Sequence, residues 1–216
     1  MGFGEEMNDS QWEKMYQEEG DPYDYTHEFI GDLAEKFKER GIKRILDLGS
    51  GAGRHLVFLA KECFEMSGID SSQTAVKINR EKLESEGLEA DLKVGDIYEK
   101  LPYPDDFFDA IVSIQVIHHS TISNIRVVIK ELERILRPGG LIFITIPKSK
   151  KTMGFGETKK FNEIEPNTFM PLDGNEKGVP HYYFEEETLR EEFSAFKIGE
   201  IWLDNGERFC FIGELK

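Results

Sequence analysis

Ile45-Leu46-Asp47-Leu48-Gly49-Ser50-Gly51-Ala52-Gly53-Arg54-His55 decides the fold: an apolar run ends beside an acid, then three glycines follow two residues apart. The run predicts a buried strand feeding a tight turn where backbone approaches a ligand. A side chain at Gly49 or Gly51 would fill that space, and the turn demands φ values that other residues adopt at a cost. A helix then starts near Gly53, with Leu56, Val57, Leu59 and Ala60 at helical spacing. Its first N–H groups lack intrahelical partners and can receive a carboxylate or another polar group. The dinucleotide fingerprint sets its glycines at offsets zero, two and five, whereas these sit at zero, two and four. That spacing favours a mononucleotide-like ligand over NAD.

Three segments follow in order. Phe64-Glu65-Met66-Ser67-Gly68-Ile69-Asp70 predicts a second strand ending in an acid, 23 residues after Asp47. The offset is close to the roughly 20 residues at which a carboxylate grips ribose hydroxyls in doubly wound folds. Asp70 is the expected ribose ligand, with Ser71 beside it; capping of the amphipathic segment Ala75 to Glu86 by Asp70, Ser71 or Ser72 is the other role open to these residues. Ala90 to Ile97 alternates apolar with polar residues and ends in Gly95-Asp96-Ile97, where Asp96 is either a ligand or a turn residue. Phe107 to His119 reads as a buried strand that delivers Gln115, His118 and His119 to the rim where open α/β sheets bind ligands. Ile122, Ile125, Val128, Ile129, Leu132, Ile135 and Leu136 then mark an amphipathic helix, stopped by Arg137-Pro138-Gly139-Gly140 before a strand from Leu141 to Ile146.

Taken together, residues 42–146 resemble the class I S-adenosylmethionine-dependent methyltransferases. Asp47 to Gly53 is similar to that family's first motif, Gly95-Asp96-Ile97 to its adenine-contacting segment, and Leu136-Arg137-Pro138-Gly139-Gly140 with its strand to a further family pattern. The resemblance implies an α/β, Rossmann-like, doubly wound sheet of seven strands, mostly parallel, with an antiparallel C-terminal hairpin strand and helices on both faces. It implies S-adenosylmethionine as cofactor and S-adenosylhomocysteine as product. The cofactor-binding residues it implies are Asp47, Gly49, Ser50, Gly51, Gly53, Asp70, Ser71, Asp96, Ile97 and Gln115. Asp96 would accept from the exocyclic amine, and Ile97 would pack on the ring face.

The 216 residues predict one domain: an N-terminal helical lid segment over 1–40, a cofactor-binding core over 41–147, a substrate-side insertion over 148–184, and a C-terminal helix and hairpin over 185–216. No apolar run approaches the roughly 18 residues that span a bilayer, and Met1-Gly2-Phe3-Gly4-Glu5-Glu6 is too acidic for a signal peptide, so the expected location is cytoplasmic. Cys63 and Cys210 predict two reduced packing thiols. Five histidines spread along the chain without paired cysteines predict no metal site. The formal charge of −15 argues against a nucleic-acid partner, and Lys148 to Lys151 reads as a solvated loop. Oligomeric state is left open.

Outside the core, Trp12, Tyr16, Tyr23 and Tyr25 precede an amphipathic helix marked by Phe29, Ile30, Leu33, Ala34 and Phe37. Such segments often close over the cofactor in small-molecule enzymes of this family; packing onto the sheet edge is the alternative. Thr152 to Phe184 has no clear periodicity, and loops of that length are often functional. It resembles the substrate-side insertion of methyltransferases related to the tellurite-resistance type. His181, Tyr182 and Tyr183 are candidates to line an acceptor pocket or to anchor a surface loop. Phe196 to Leu203 and Arg208 to Glu214 predict a β-hairpin turning on Asn205-Gly206.

Methyl transfer from a sulfonium is an in-line displacement that asks the protein mainly for placement. An acceptor that loses a proton also needs a base, for which His118 and His119 are the candidates; strand alternation would aim at most one of them inward if the strand persists that far. His55 is expected to be a polar residue near the cofactor end. The fourth strand is followed by Ile117-His118-His119-Ser120 where the family's amino-methylating nucleic-acid enzymes carry Asn-Pro-Pro-Tyr or Asp-Pro-Pro-Tyr, and no Pro-Cys nucleophile is present. A small molecule methylated on O, N or S is the favoured acceptor. A protein- or RNA-directed enzyme of the same fold, or a non-catalytic binder of the cofactor, are the alternatives.

Overall fold

The computed structural model describes residues 5–148 and 160–216. Its central sheet starts from two segments that are mostly apolar and buried at nearly every position. Arg44–Leu48 (β1) and Phe108–Ile114 (β4) are buried on both faces, as strands in a covered parallel sheet must be. From Ala110 onward side chains of β4 alternate, Ala110, Val112 and Ile114 joining one core and Ile111 the other; Phe108 joins Ile111's side, across a register shift between Phe108 and Ala110. Glu65–Asp70 (β2) and Asp91–Val94 (β3) continue the sheet on one side, and Leu136–Pro147 (β5) flanks β4 on the other. The pairs β3–β2, β2–β1, β1–β4 and β4–β5 are all parallel.

Helices cover both faces. Ile30–Glu39 (α2), Arg54–Lys61 (α3) and Gln73–Ser85 (α4) pack on one, through residues such as Phe37, Leu59 and Leu83. Ile122–Ile135 (α5) and Glu186–Glu192 (α6) pack on the other, through Ile125, Val128, Ile129, Leu132, Ile135 and Leu189. Each of these buried aliphatic side chains contributes about 1.5–3 kcal/mol. The helix expected through Leu136 ends at Ile135, because Pro138 disfavours helical backbone just before it and Leu136 is already extended, pairing with Phe108.

Phe196–Leu203 (β9) and Arg208–Leu215 (β10) form the expected C-terminal hairpin, with β10 antiparallel to β5. The sheet order is β3-β2-β1-β4-β5-β10-β9, seven strands. The hairpin turn departs from the sequence expectation: the left-handed residue is Glu207 (φ 57), not Asn205 or Gly206. Asp204 imposes this geometry, since its Oδ1 accepts from Gly206 N and Arg208 N.

Glu5–Glu19 (α1), the first helix of the N-terminal segment, lies against α4. The aperiodic stretch before α6 holds strands that its sequence does not predict: Phe161–Glu165 (β6), Thr168–Pro171 (β7) and His181–Tyr182 (β8) form a small antiparallel sheet. The β6–β7 turn is Pro166-Asn167, with Asn167 left-handed at φ 62. Cys63 is exposed in a turn after α3, so only Cys210 packs as expected; both thiols are free. No described helix is long and apolar enough to cross a membrane. Of the basic run, Ser149 to Lys151 lie outside the described residues, as do residues 152–159 of the insertion.

Candidate active site

The strand order reverses between β1 and β4, and a cavity of about 870 Å³ opens at their carboxyl ends. The glycine turn forms its floor. Gly49, Gly51 and Gly53 have φ of 73°, 50° and 86°, and an added Cβ would strike Val116, Tyr16 Oη and Asn79 respectively. Glycine is thus required for close packing of the turn against the chain itself as well as for the approach of a ligand. Gly49 N and Ser50 N both donate to Ile69 O, and Gly51 N donates to Asp70 Oδ2 at 2.8 Å.

Asp70 Oδ1 accepts from Ser72 N at 2.9 Å, so its carboxylate is oriented before any ligand arrives. The capping role belongs to Ser72, whose hydroxyl accepts from Ala75 N. Asp70 is left to line the cavity, together with Gly49, Ser50, Gly51, Ser71, Asp96, Ile97, Gln115, His118 and His119. Asp96 also serves its turn, accepting from Tyr98 N at 2.8 Å. Gln115 is left-handed (φ 61) and donates to Thr145 Oγ1. The hydroxyl of Ser50 is buried with no hydrogen-bond partner among the described residues. Acids for hydroxyls and an amine, an apolar residue for a ring face and an unsatisfied hydroxyl fit a nucleoside.

Two residues of the expected set do not line the cavity. Gly53 faces Asn79, and Asp47 is buried behind the turn, accepting from Leu56 N at the start of α3. Burial pushes the Asp47 carboxyl up to about 7; Arg54 opposes the shift and Asp70 adds to it.

The roof comes from outside the core. Glu13 on α1 accepts from Ser72 Oγ, Thr74 N and Thr74 Oγ1 at the N-terminus of α4. Burial alone would raise its carboxyl, but these hydrogen bonds outweigh burial and hold it at about 2. Trp12 and Tyr16 of α1 line the cavity, and the Arg54 guanidinium lies over the rings of Tyr23 and Tyr25 at 5.4 and 5.5 Å. Gln11 donates to Asn175 O and Asn175 to Glu19, tying α1 to the turn that carries Glu176. His27 donates through Nε2 to Asp204 Oδ2 at 3.0 Å, and its backbone N–H donates to His55 Nε2. His55 is therefore a buried support of the wall, close to its expected place. Arg54 stands in the quoted glycine-turn stretch but was given no role there, and Glu176 was missed because it lies in the aperiodic segment.

The far end of the cavity is a histidine cluster. β4 stops at Ile114, so strand alternation no longer separates His118 from His119; both turn inward, their ring centroids 3.9 Å apart. His181 arrives from β8, 5.6 and 4.8 Å from those rings, held by the hydrogen bond from Tyr182 N to His118 O. Tyr182 and Tyr183 do not line the cavity: Tyr182 packs on Phe184 in the core and Tyr183 on Phe169. Burial, joined by the neighbouring imidazoles, holds His118 and His119 well below the ordinary histidine range. Both are neutral at pH 7 and weak as general bases.

A family profile described as a methyltransferase domain matches residues 45–140. A tRNA (carboxymethyluridine(34)-5-O)-methyltransferase of Arabidopsis thaliana is 41% identical over 103 residues, 47% of this chain and 23% of that protein. A glycine/sarcosine/dimethylglycine N-methyltransferase of Actinopolyspora halophila is 32% identical over 152 residues, 67% of this chain and 24% of that protein. The chain thus spans about a quarter of the length of these curated relatives. A solved S-adenosylmethionine-dependent methyltransferase from Clostridium acetobutylicum shares the fold, with a TM-score of 0.71 and 17% identity, covering 95% of this chain and 98% of its own.

Proposed function

We propose that this chain, whose residues 45–140 match the methyltransferase-domain profile, is an S-adenosylmethionine-dependent methyltransferase that transfers a methyl group to a small-molecule acceptor inside a cavity closed by the chain itself. One observation carries this reading: a single cavity runs from the glycine turn and Asp70 to the histidine cluster, roofed by α1 and the turn around Glu176. Its volume of about 870 Å³ falls in the range of small-ligand sites, roughly 300–1,000 Å³.

Bound S-adenosylmethionine supplies an activated methyl on a sulfonium. The chain's part is placement. Asp70 receives the ribose hydroxyls, Asp96 and Ile97 the adenine, and Gly49, Ser50 and Gly51 bring backbone to the rest of the cofactor. Gln115, fixed by Thr145, lines the same cavity. The roof excludes water and holds the acceptor in line, a contribution of several kcal/mol in such reactions.

Calorimetric titration with S-adenosylmethionine, S-adenosylhomocysteine and NAD tests the cofactor: binding of the first two and none of the third is expected. Labelled-methyl transfer then tests the acceptor, with a protein-free metabolite extract and bulk tRNA offered in parallel. Label in the metabolite fraction supports the reading. An RNA-directed activity is the second reading, favoured by the tRNA-modifying relative and opposed by the formal charge of −15. Label in the tRNA fraction would establish it instead.

A further inference from the structure

We propose that His118, His119 and His181 form a binding site for one divalent transition-metal ion, of the zinc type, at the acceptor end of the cavity. Each offers one ring nitrogen, and the three lie within 4.8 Å of one another. Three imidazole nitrogens suit zinc and its neighbours over magnesium or calcium, which take oxygen ligands. Zinc–nitrogen bonds of about 2.0–2.1 Å need the nitrogens roughly 3.3 Å apart, so the rings close by up to about 1.5 Å around an ion.

Independent features point the same way. His118 is 2% exposed, and its Nδ1 is buried with no hydrogen-bond partner among the described residues. His181 Nδ1 lies 2.8 Å from Val179 O and must donate to that carbonyl, which fixes the ring and directs Nε2 toward the cluster. Metal-binding histidines are held by this kind of carbonyl contact. Glu176 brings its Oε2 to 3.3 Å from His181 Nε2 and its Oε1 to 4.0 Å from His119 Nε2, so a carboxylate stands where a fourth ligand or a counter-charge is needed.

The other cluster of potential ligands, His27, Asp204 and Cys210, is already spent. Asp204 accepts from His27, Arg208 and Gly206, and burial pushes the Cys210 thiol up to about 12, leaving it protonated. An ion on the three histidines has a clear use: it would bind the acceptor's heteroatom and lower its pKa, so that its proton would pass to solvent. That use, unlike the site itself, rests on the methyltransferase reading.

The test is Co2+ titration of the chelator-stripped protein, followed by visible d–d absorption, with Zn2+ competition and Mg2+ as control. One Co2+ per chain, displaced by Zn2+ and not by Mg2+, is expected. Affinity should fall at least tenfold in His118→Gln and in His181→Gln, each checked for fold by circular dichroism, and stay unchanged in Cys210→Ser. No stoichiometric binding to the wild type, undiminished binding in the histidine variants, or loss in Cys210→Ser overturns the proposal. Calorimetry with S-adenosylmethionine on the same samples separates the two readings. Cofactor binding without metal ends the metal site alone, and metal binding without cofactor ends the methyltransferase reading alone.

Discussion

Asp47 and Asp70, both at the glycine turn, have opposite fates. Asp70 keeps its carboxylate on the cavity, held by Gly51 N and Ser72 N. Asp70→Ala removes these bonds and the proposed ribose contact, and should weaken S-adenosylmethionine binding by about 1–3 kcal/mol, roughly 5- to 150-fold, in a calorimetric titration. Asp47 is buried with its carboxyl raised to about 7 from an ordinary 3.8. A raised folded pKa means stability that is fully present below pH 3.8 and lost as pH rises through 7. Asp47→Asn abolishes that dependence. In urea unfolding at pH 4, 6 and 8, the wild type should lose on the order of 4 kcal/mol relative to Asp47→Asn across the window. Parallel stability curves would show that Asp47 does not titrate there.

Elements differ in how far the sequence discloses them. The strands β1 and β4 and the helix α5 were legible because burial on two faces or one stripe forces a period onto the residues. β6 to β8 were hidden: Asn162, Glu163 and Ile164 of β6 are all exposed, so no apolar alternation marks it. The glycine-turn end of the cavity was legible, Asp47 and Gly53 apart, because the residues lining it lie within a few positions of strand ends. At the other end His118, His119 and His181 were each named from the sequence, but their meeting was not, since His181 is brought to His118 by the β8 backbone, 63 residues away. Strand alternation does not govern His118 and His119, because β4 ends at Ile114, before it reaches them. Within α5, Leu132→Ala should cost about 2–5 kcal/mol in unfolding free energy and leave cofactor affinity unchanged. The latch of α1 predicts the reverse pattern. Glu13→Ala frees the N-terminus of α4 from α1, should cost about 0.5–2 kcal/mol, and should raise the cofactor Kd and speed hydrogen exchange in α1. With the carboxyl held at about 2, the latch stays charged above pH 4.5 and fails only as pH falls toward 2.

On the scale of the whole molecule, the cavity joins parts that otherwise touch little: the sheet's carboxyl edge, α1, the small antiparallel sheet and the β9–β10 turn through Asn205 and Arg208. A ligand held by several of these at once adds its binding energy to the folding of them all. At a hundredfold excess over Kd the linkage is worth about 2.7 kcal/mol, and in a chain of this length each kcal/mol moves Tm by roughly 2–4 °C. S-adenosylmethionine at that concentration should therefore raise Tm by about 5–10 °C, with S-adenosylhomocysteine doing the same and NAD having no effect. Because Glu13 couples the roof to the core, Glu13→Ala at the same ligand concentration should show a smaller rise than the wild type. An equal rise in both would mean that α1 covers the site without contributing to the hold on the cofactor, and the closing function would pass to the turn around Glu176.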